Sequence, residues 1–313
     1  MTMQVLVVGC GAIGGLFAAA LTRAAKVAVY DTNAEHVRAI NANGLRVIDK
    51  DSATIAQIKA VDDPSRLKGE AFDAVIFLVK SKFTPAALAA VQPALRGREI
   101  LVTLQNGMGN AEALLQAPQP VIVRGVTMNA ARYIGPGRIE SLIRGKTWLG
   151  PRRGSLAEIA SLAALMNAAG LPTEPTEDPM GAVWAKFVFN CVMNPVGALL
   201  LGDNAARYES NEVRALIDDM AAECTAVVRA LGGHFAFDPM DFVTKIRAGE
   251  LPIGKHAGSM ALDIGRGAAT EIDELTGFIV REGERLGVAV PNCKAVYRLV
   301  KGLELAATRR YKA

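Results

Sequence analysis

The sequence predicts an α/β N-terminal domain built on a doubly wound, mostly parallel sheet, followed by an all-α C-terminal domain. Three observations carry this. Short apolar runs without alternation recur between helical stretches through the first half of the chain. A glycine-rich turn joins the first such run to the first helix. Beyond a proline-rich stretch around residues 171–179 the pattern turns almost wholly helical. Strands that are apolar on both faces and spaced by helices are those of a parallel sheet covered on each side.

The elements follow in order. Met3–Val8 is a valine-rich strand, the glycines after it form a turn, and Ile13–Arg23 is an Ala/Leu-rich helix. Val27–Tyr30 reads as the second strand and Asn33–Asn43 as a helix that stops at Gly44. After a less regular stretch, Ala74–Val79 and Ile100–Leu104 are two more apolar strands, separated by a helical Pro85–Leu95. Val121–Val123, Arg138–Ser141 and Thr147–Leu149 read as further strands, and Leu156–Ala169 as a helix ending at Gly170. In Leu171–Pro179, Pro172, Pro175 and Pro179 interleave with acids, which places the boundary there and divides the chain into residues 1–174 and 175–313. Helices fill the second part, with breaks at Gly232–Pro239, Pro252–Gly258 and Gly265–Ala269.

Composition excludes several classes. The 313 residues are 51% hydrophobic and 21% charged with a net charge of +4, an ordinary globular balance that suits anionic small molecules. No basic tract interleaved with aromatics points to nucleic acid. Cys10, Cys191, Cys224 and Cys293 are scattered with no C-x-x-C pair, so reduced thiols, a cytoplasmic location and no structural metal are expected. His36, His234 and His256 do not cluster, which leaves a zinc site or a histidine-based triad without support. The apolar Val5–Leu21 lacks a basic leader and is interrupted by glycines, and no other uninterrupted run reaches spanning length, so no membrane partner is expected.

Gly9-Cys10-Gly11-Ala12-Ile13-Gly14 fits G-x-G-x-x-G between a strand and a helix, the setting of a Rossmann dinucleotide site. There the glycines allow the tight turn and the approach of a pyrophosphate, and the helix N-terminus attracts its charge. Asp31 ends the second strand about twenty residues on, where an acid accepts hydrogen bonds from the adenosine ribose; that argues for NAD(H). The alternative for Asp31 is a helix N-cap, with Thr32 and Asn33 competing for the role. Lys80 and Asn106 follow two other strands at their carboxyl ends, the edge that faces ligand in such sheets, and each also reads as an ordinary surface or turn residue.

In the second part, Lys186, Asn190 and Asn194 stand four positions apart among Phe187, Val188, Phe189, Val192 and Met193, so they share one helix face. An ammonium and two carboxamides in an apolar helix line a polar pocket or, alternatively, snorkel and cap locally.

With the glycine fingerprint, Val79-Lys80, Gln105-Asn106-Gly107, the Lys186/Asn190/Asn194 face, Ser259-Met260 and Thr270-Glu271-Ile272-Asp273, the chain resembles the ketopantoate reductase family over nearly its full length. The resemblance implies a Rossmann domain that binds NADP(H) and a helical domain closing over 2-dehydropantoate, reduced to (R)-pantoate in pantothenate biosynthesis. It implies Lys186 as catalytic lysine and proton donor, Glu271 near that lysine and the substrate hydroxyl, and Asn190, Asn194 and Ser259 as substrate contacts. It implies Lys80 and Asn106 on the cofactor side, with Asn106 open to substrate as well. One departure stands out: Asp31-Thr32-Asn33 occupies the place where many members carry a basic residue for the NADP phosphate.

Two other functions fit parts of the pattern. One is a related NAD(H)-preferring dehydrogenase of another 2-oxo or 3-hydroxy acid, and the other a non-catalytic NAD(P) sensor. The apolar faces of Leu275–Leu286 and Val296–Ala307 suit either a homodimer or closure of the domain's own core.

Overall fold

Val5, Leu6, Val7 and Val8 are fully buried in the first strand, β1 (Gln4–Val8), because a central parallel strand has helices on both faces. Residues 2–50, 52–201, 203–254 and 257–310 are described by a computed structural model; His256 and part of the break read at Pro252–Gly258 lie outside them. After β1 come α1 (Ala12–Leu21), β2 (Lys26–Tyr30), α2 (Ala34–Asn43), β3 (Leu45–Asp49), β4 (Ser52–Ala56) and β5 (Lys59–Val61). Next are β6 (Ala74–Phe77), α3 (Thr84–Val91), β7 (Ile100–Thr103), α4 (Asn110–Leu114) and β8 (Val121–Thr127). The first part ends with β9 (Ala130–Gly135), β10 (Arg138–Ile143), β11 (Thr147–Arg153), α5 (Leu156–Ala168) and β12 (Thr173–Pro175).

The main sheet runs in the order β12-β11-β8-β7-β6-β1-β2-β5, parallel except where β11 meets β8. From β1 the chain winds outward through β2 to β5, then returns to β6 on the other side of β1. That reversal between β1 and β6 is the switch point at which a crevice opens past the strand ends. Two apolar clusters cover the faces, one around Phe17, Leu21 and Met166, the other around Phe72, Phe77 and Leu114.

Arg138–Ser141 is a strand as expected, and it pairs with β3 and β9 in a second, four-stranded sheet ordered β4-β3-β10-β9. Two expectations are corrected. The stretch read as less regular supplies β3 and β4 of that sheet, and β5 of the first. The proline-rich stretch begins as an edge strand, β12 lying parallel to β11, with Pro175 at its end, where proline costs no ladder bond. The chain divides by its contacts into Met1–Pro179 and Met180–Ala313.

The second unit comprises α6 (Met180–Leu199), α7 (Ala206–Glu209), α8 (Asn211–Ala230), α9 (Asp241–Arg247), α10 (Ser259–Gly265), α11 (Thr276–Leu286) and α12 (Pro291–Arg310). Helix α6 is its core, packed on α8, α10, α11 and α12. Among the described residues α6 alone is long and apolar enough to meet the criteria of a spanning helix, and most of it is buried inside the unit. Cys191, Cys224 and Cys293, scattered in sequence, meet here as buried free thiols, with the sulfurs of Cys224 and Cys293 3.6 Å apart.

Pro195 lies inside α6 and has no N–H for the carbonyl of Cys191 one turn earlier. The hydroxyl of Thr276, the first residue of α11, donates to that carbonyl at 2.8 Å, so the bond the proline leaves open anchors α11. Thr276 is fully buried. Replacing it by valine keeps the shape, strands the carbonyl and lowers stability by about 1–3 kcal/mol, measured by denaturant unfolding; an unchanged midpoint would show the bond to be idle.

Candidate active site

The glycine turn is built by close approach. Gly9 leaves β1 at φ +90° and donates to the carbonyl of Tyr30 at 2.8 Å. A Cβ at Gly9 would lie 2.8 Å from the backbone nitrogen of Val79, and one at Gly14 1.8 Å from the carbonyl oxygen of Gly9. Neither position tolerates a side chain. Gly11, the N-cap of α1, faces open space, with no atom within 4 Å of where a Cβ would stand. The N–H groups of Ala12 and Ile13 open a helix that has no side-chain cap and no acid in its first turn. The residues therefore fit a dinucleotide: a pyrophosphate can reach the helix end that the missing Cβ leaves clear.

Cys10 contributes backbone only. Its thiol is fully buried, and burial, with Asp31 beside it, pushes its pKa far above the usual range. Its N–H donates to Asp31 Oδ2 at 2.7 Å, and Asp31 Oδ1 accepts from Asn33 N at 2.9 Å. The cap of α2 is Asn33, whose side chain accepts from His36 N at 3.0 Å, so the N-cap alternative for Asp31 is not what forms. Each Asp31 oxygen keeps a lone pair for a ribose hydroxyl.

His36 is a residue that sequence reading missed. Its Nδ1 accepts from Gly137 N at 2.9 Å, which leaves the proton on Nε2, 2.8 Å from the Cys10 carbonyl. A buried neutral imidazole thus ties the glycine turn to the second sheet.

Lys80 and Asn106 stand on loops past β6 and β7, at the same sheet edge as the glycine turn. A buried polar brace joins the two loops. Gln105 Nε2 donates to the Val79 carbonyl at 2.7 Å and to Thr84 Oγ1 at 2.8 Å. Asn106 O accepts from Ser81 Oγ at 2.7 Å and from Asn110 Nδ2 at 2.9 Å. From β8, Arg124 donates to the carbonyls of Gln105 at 3.0 Å and Gly107 at 2.8 Å, gripping the loop on either side of Asn106. Burial pushes the Arg124 guanidinium down to about 10, so it stays charged at neutral pH. The backbone around Asn106 is engaged, whereas its carboxamide has no hydrogen-bond partner among the described residues.

In the helical unit, Lys186, Asn190 and Asn194 lie on one face of α6. Asn190 is 6% exposed, Lys186 and Asn194 are half-buried, and neither carboxamide has a hydrogen-bond partner among the described residues. Ser259 is exposed at the start of α10, which packs on α6. Glu271 lies half-buried in the turn that leads into α11.

The turn carrying Glu271 is clamped from both sides by α12. Thr270 N and Oγ1 donate to Glu304 Oε1 at 2.8 and 2.7 Å, and Asp273 accepts from Tyr297 at 2.8 Å and Lys301 at 2.9 Å. Lys301 also pairs with Glu304 at 2.9 Å. For Asp273 and Glu304 burial pulls the pKa up, yet their hydrogen bonds outweigh it and both end below the usual range; the bond to Asp273 raises Lys301. The lowered acids stabilise the fold above about pH 4.5 and lose that contribution as pH falls through their folded values. The raised lysine stabilises it below about pH 10 and loses that as pH rises through its own. Partly exposed, the cluster contributes about 1 kcal/mol at most. Lys301→Met should remove the lysine's share of it at pH 7 and make the acid limb of the stability–pH curve shallower, the bonds from Thr270 and Tyr297 remaining; a parallel curve would deny the coupling.

Comparison with known proteins agrees with this geometry. Residues 5–154 match the family model for ketopantoate reductase PanE/ApbA, and residues 178–304 match the model of its C-terminal part. The chain belongs to the ketopantoate reductase family. The 2-dehydropantoate 2-reductase of Halobacterium salinarum is 30% identical, over 96% of this chain and 98% of its own length. The crystal structure of a family member from Ralstonia eutropha JMP134 is 33% identical with a TM-score of 0.85, covering 97% of this chain and 99% of that one. D-mandelate dehydrogenase, in a ternary structure with NADH and anilino(oxo)acetate, is 25% identical with a TM-score of 0.88, covering 97% and 99%. Family membership makes the protein an oxidoreductase, with a parallel-sheet domain for a nicotinamide cofactor and a helical second part.

Proposed function

We propose that the protein reduces 2-dehydropantoate to (R)-pantoate with a nicotinamide cofactor, as a cytoplasmic enzyme of pantothenate biosynthesis. The observation that carries this is the α6 face: an ammonium and two carboxamides on a core helix, with both amides lacking protein partners among the described residues. Such groups are retained in an apolar helix when a polar ligand satisfies them.

The reduced cofactor, when bound, supplies a hydride to the carbonyl carbon. Gly9, Gly11 and Gly14 would admit its pyrophosphate, Asp31 would accept from the adenosine ribose, and Lys80 and Asn106 would hold its far side. Lys186 stabilises the negative charge that develops on the carbonyl oxygen and delivers the proton that completes the hydroxyl. Glu271 keeps the lysine charged and oriented. Asn190, Asn194 and Ser259 hold the keto acid by hydrogen bonds.

The finer cofactor preference is NADH over NADPH. Asp31 is fixed by two backbone N–H groups at the end of the second strand, where its carboxylate would accept from a ribose hydroxyl and repel a 2'-phosphate. Asp31→Ala should weaken NADH binding about tenfold and narrow the gap to NADPH, read by fluorescence titration of both. Tighter NADPH binding by the unaltered protein would overturn this.

A second reading, reduction of a bulkier 2-oxo acid, is favoured by the likeness to D-mandelate dehydrogenase. Comparing kcat/KM for ketopantoate and for phenylglyoxylate separates the two: preference for ketopantoate supports the first reading, and preference for the aromatic acid replaces it with the second.

A further inference from the structure

The four-stranded sheet packs on the opening turns of α1, the helix at whose N-terminus the glycine turn ends. Ile139 of β10 lies against Gly15, where a Cβ would stand 3.3 Å from two of its carbons, and Ile139 and Val47 pack with Leu16. The turn between β9 and β10 comes close to α2 as well. There Gly137 has φ +67°, and a Cβ on it would lie 3.1 Å from that of Ala39. Glycine at this place lets the chain approach, and its N–H reaches His36 Nδ1 at 2.9 Å. Tyr133 of β9 meets the same imidazole edge to face, with ring centroids 5.2 Å apart. His36 is thus held by the four-stranded sheet through its ring and one nitrogen.

The other nitrogen acts on the glycine turn. Gly15 N donates to the carbonyl of Gly11 at 2.8 Å, whereas the carbonyl of Cys10, one residue earlier, is turned out of the helix and accepts from His36 Nε2 at 2.8 Å. The peptide joining Cys10 to Gly11 is trans, so its C=O and N–H point in opposite directions. Holding the carbonyl on His36 therefore turns the Gly11 N–H away from the buried imidazole. That N–H has no partner among the described residues, and Gly11, Ala12 and Ile13 are all partly exposed. A donor fixed in direction before its acceptor arrives loses less freedom on binding.

We propose that His36 is a positioning residue for the cofactor: by holding the Cys10 carbonyl it aims the Gly11 N–H at the pyrophosphate, and the four-stranded sheet serves the site by holding His36. This rests on the reading of the glycine turn as the dinucleotide site. His36 is 1% exposed, so it acts through the peptide it holds and touches neither cofactor nor substrate. It takes no part in hydride or proton transfer.

The test is NADH binding by fluorescence titration, with ADP-ribose and adenosine as competitors, which reads the pyrophosphate apart from the adenosine end. His36→Phe keeps a ring beside Tyr133 and removes both nitrogens. It should raise Kd for NADH and for ADP-ribose about tenfold, the worth of one positioned hydrogen bond. Kd for adenosine, and kcat with ketopantoate at saturating NADH, should stay within about twofold. His36→Leu should give the same pattern and carries the test if the larger ring does not fit. His36→Gln, whose carboxamide offers both a donor and an acceptor, should recover part of the loss. A merely structural histidine would lower the urea midpoint and leave Kd for ADP-ribose unchanged. That result, or an equal loss for adenosine and ADP-ribose, would overturn the inference. Failure of the unaltered protein to bind either NADH or NADPH would instead overturn the dinucleotide reading, and this inference with it.

Discussion

Lys186→Ala should lower kcat for ketopantoate by about a thousandfold. Two roles are lost together: the ammonium that stabilises charge on the carbonyl oxygen, and the proton that completes the hydroxyl. Neither can be replaced by Asn190 or Asn194, whose amides donate hydrogen bonds but no proton. The glycine turn and Asp31 are remote in sequence from Lys186, so NADH binding by fluorescence titration should stay within about twofold, on the additivity of independent sites. Steady-state kinetics with saturating cofactor separates the roles. A loss confined to KM would make Lys186 a substrate anchor and leave the proton donor to be found elsewhere.

Arg124→Met should have the largest effect on the first unit. Arg124 is 4% exposed and grips two carbonyls that no other described side chain reaches. Methionine fills much of the volume and leaves both carbonyls unsatisfied, at about 1–3 kcal/mol each, partly offset by relief of a buried charge. The net cost should be about 2 kcal/mol, read as a lowered urea midpoint. The loop carrying Asn106 then loses its fixed position, so KM for the cofactor should rise more than kcat falls. Lysine offers a charge but no fork, and Arg124→Lys should recover only part of either loss. Lost stability with unchanged KM would show that Arg124 supports the fold without positioning Asn106.

The sequence made legible what depends on local pattern. Strands β1, β6 and β7 are apolar on both faces, and the reading placed each within two residues. The small sheet escaped because Leu45–Asp49 is short and carries charge, and its partner β10 lies far along the chain. Asp31, Thr32 and Asn33 are all cap formers by type, and only the fold decides among them. Ser81, Asn110 and Arg124 carry no motif; their brace arises when loops distant in sequence meet, which no spacing announces. The answer of Thr276 to Pro195 is of the same kind: the proline advertises a missing donor, and the donor comes from another helix. The face of Lys186, Asn190 and Asn194 was readable from its four-residue spacing alone.

The most direct measurement is the amount of pantoate formed per reduced cofactor oxidised when the purified protein is given ketopantoate, with chiral analysis of the product. One (R)-pantoate per NADH, dependent on Lys186, is the expected result. Oxidation of cofactor without pantoate, or no oxidation of either NADH or NADPH while both bind, would contradict the proposed reaction.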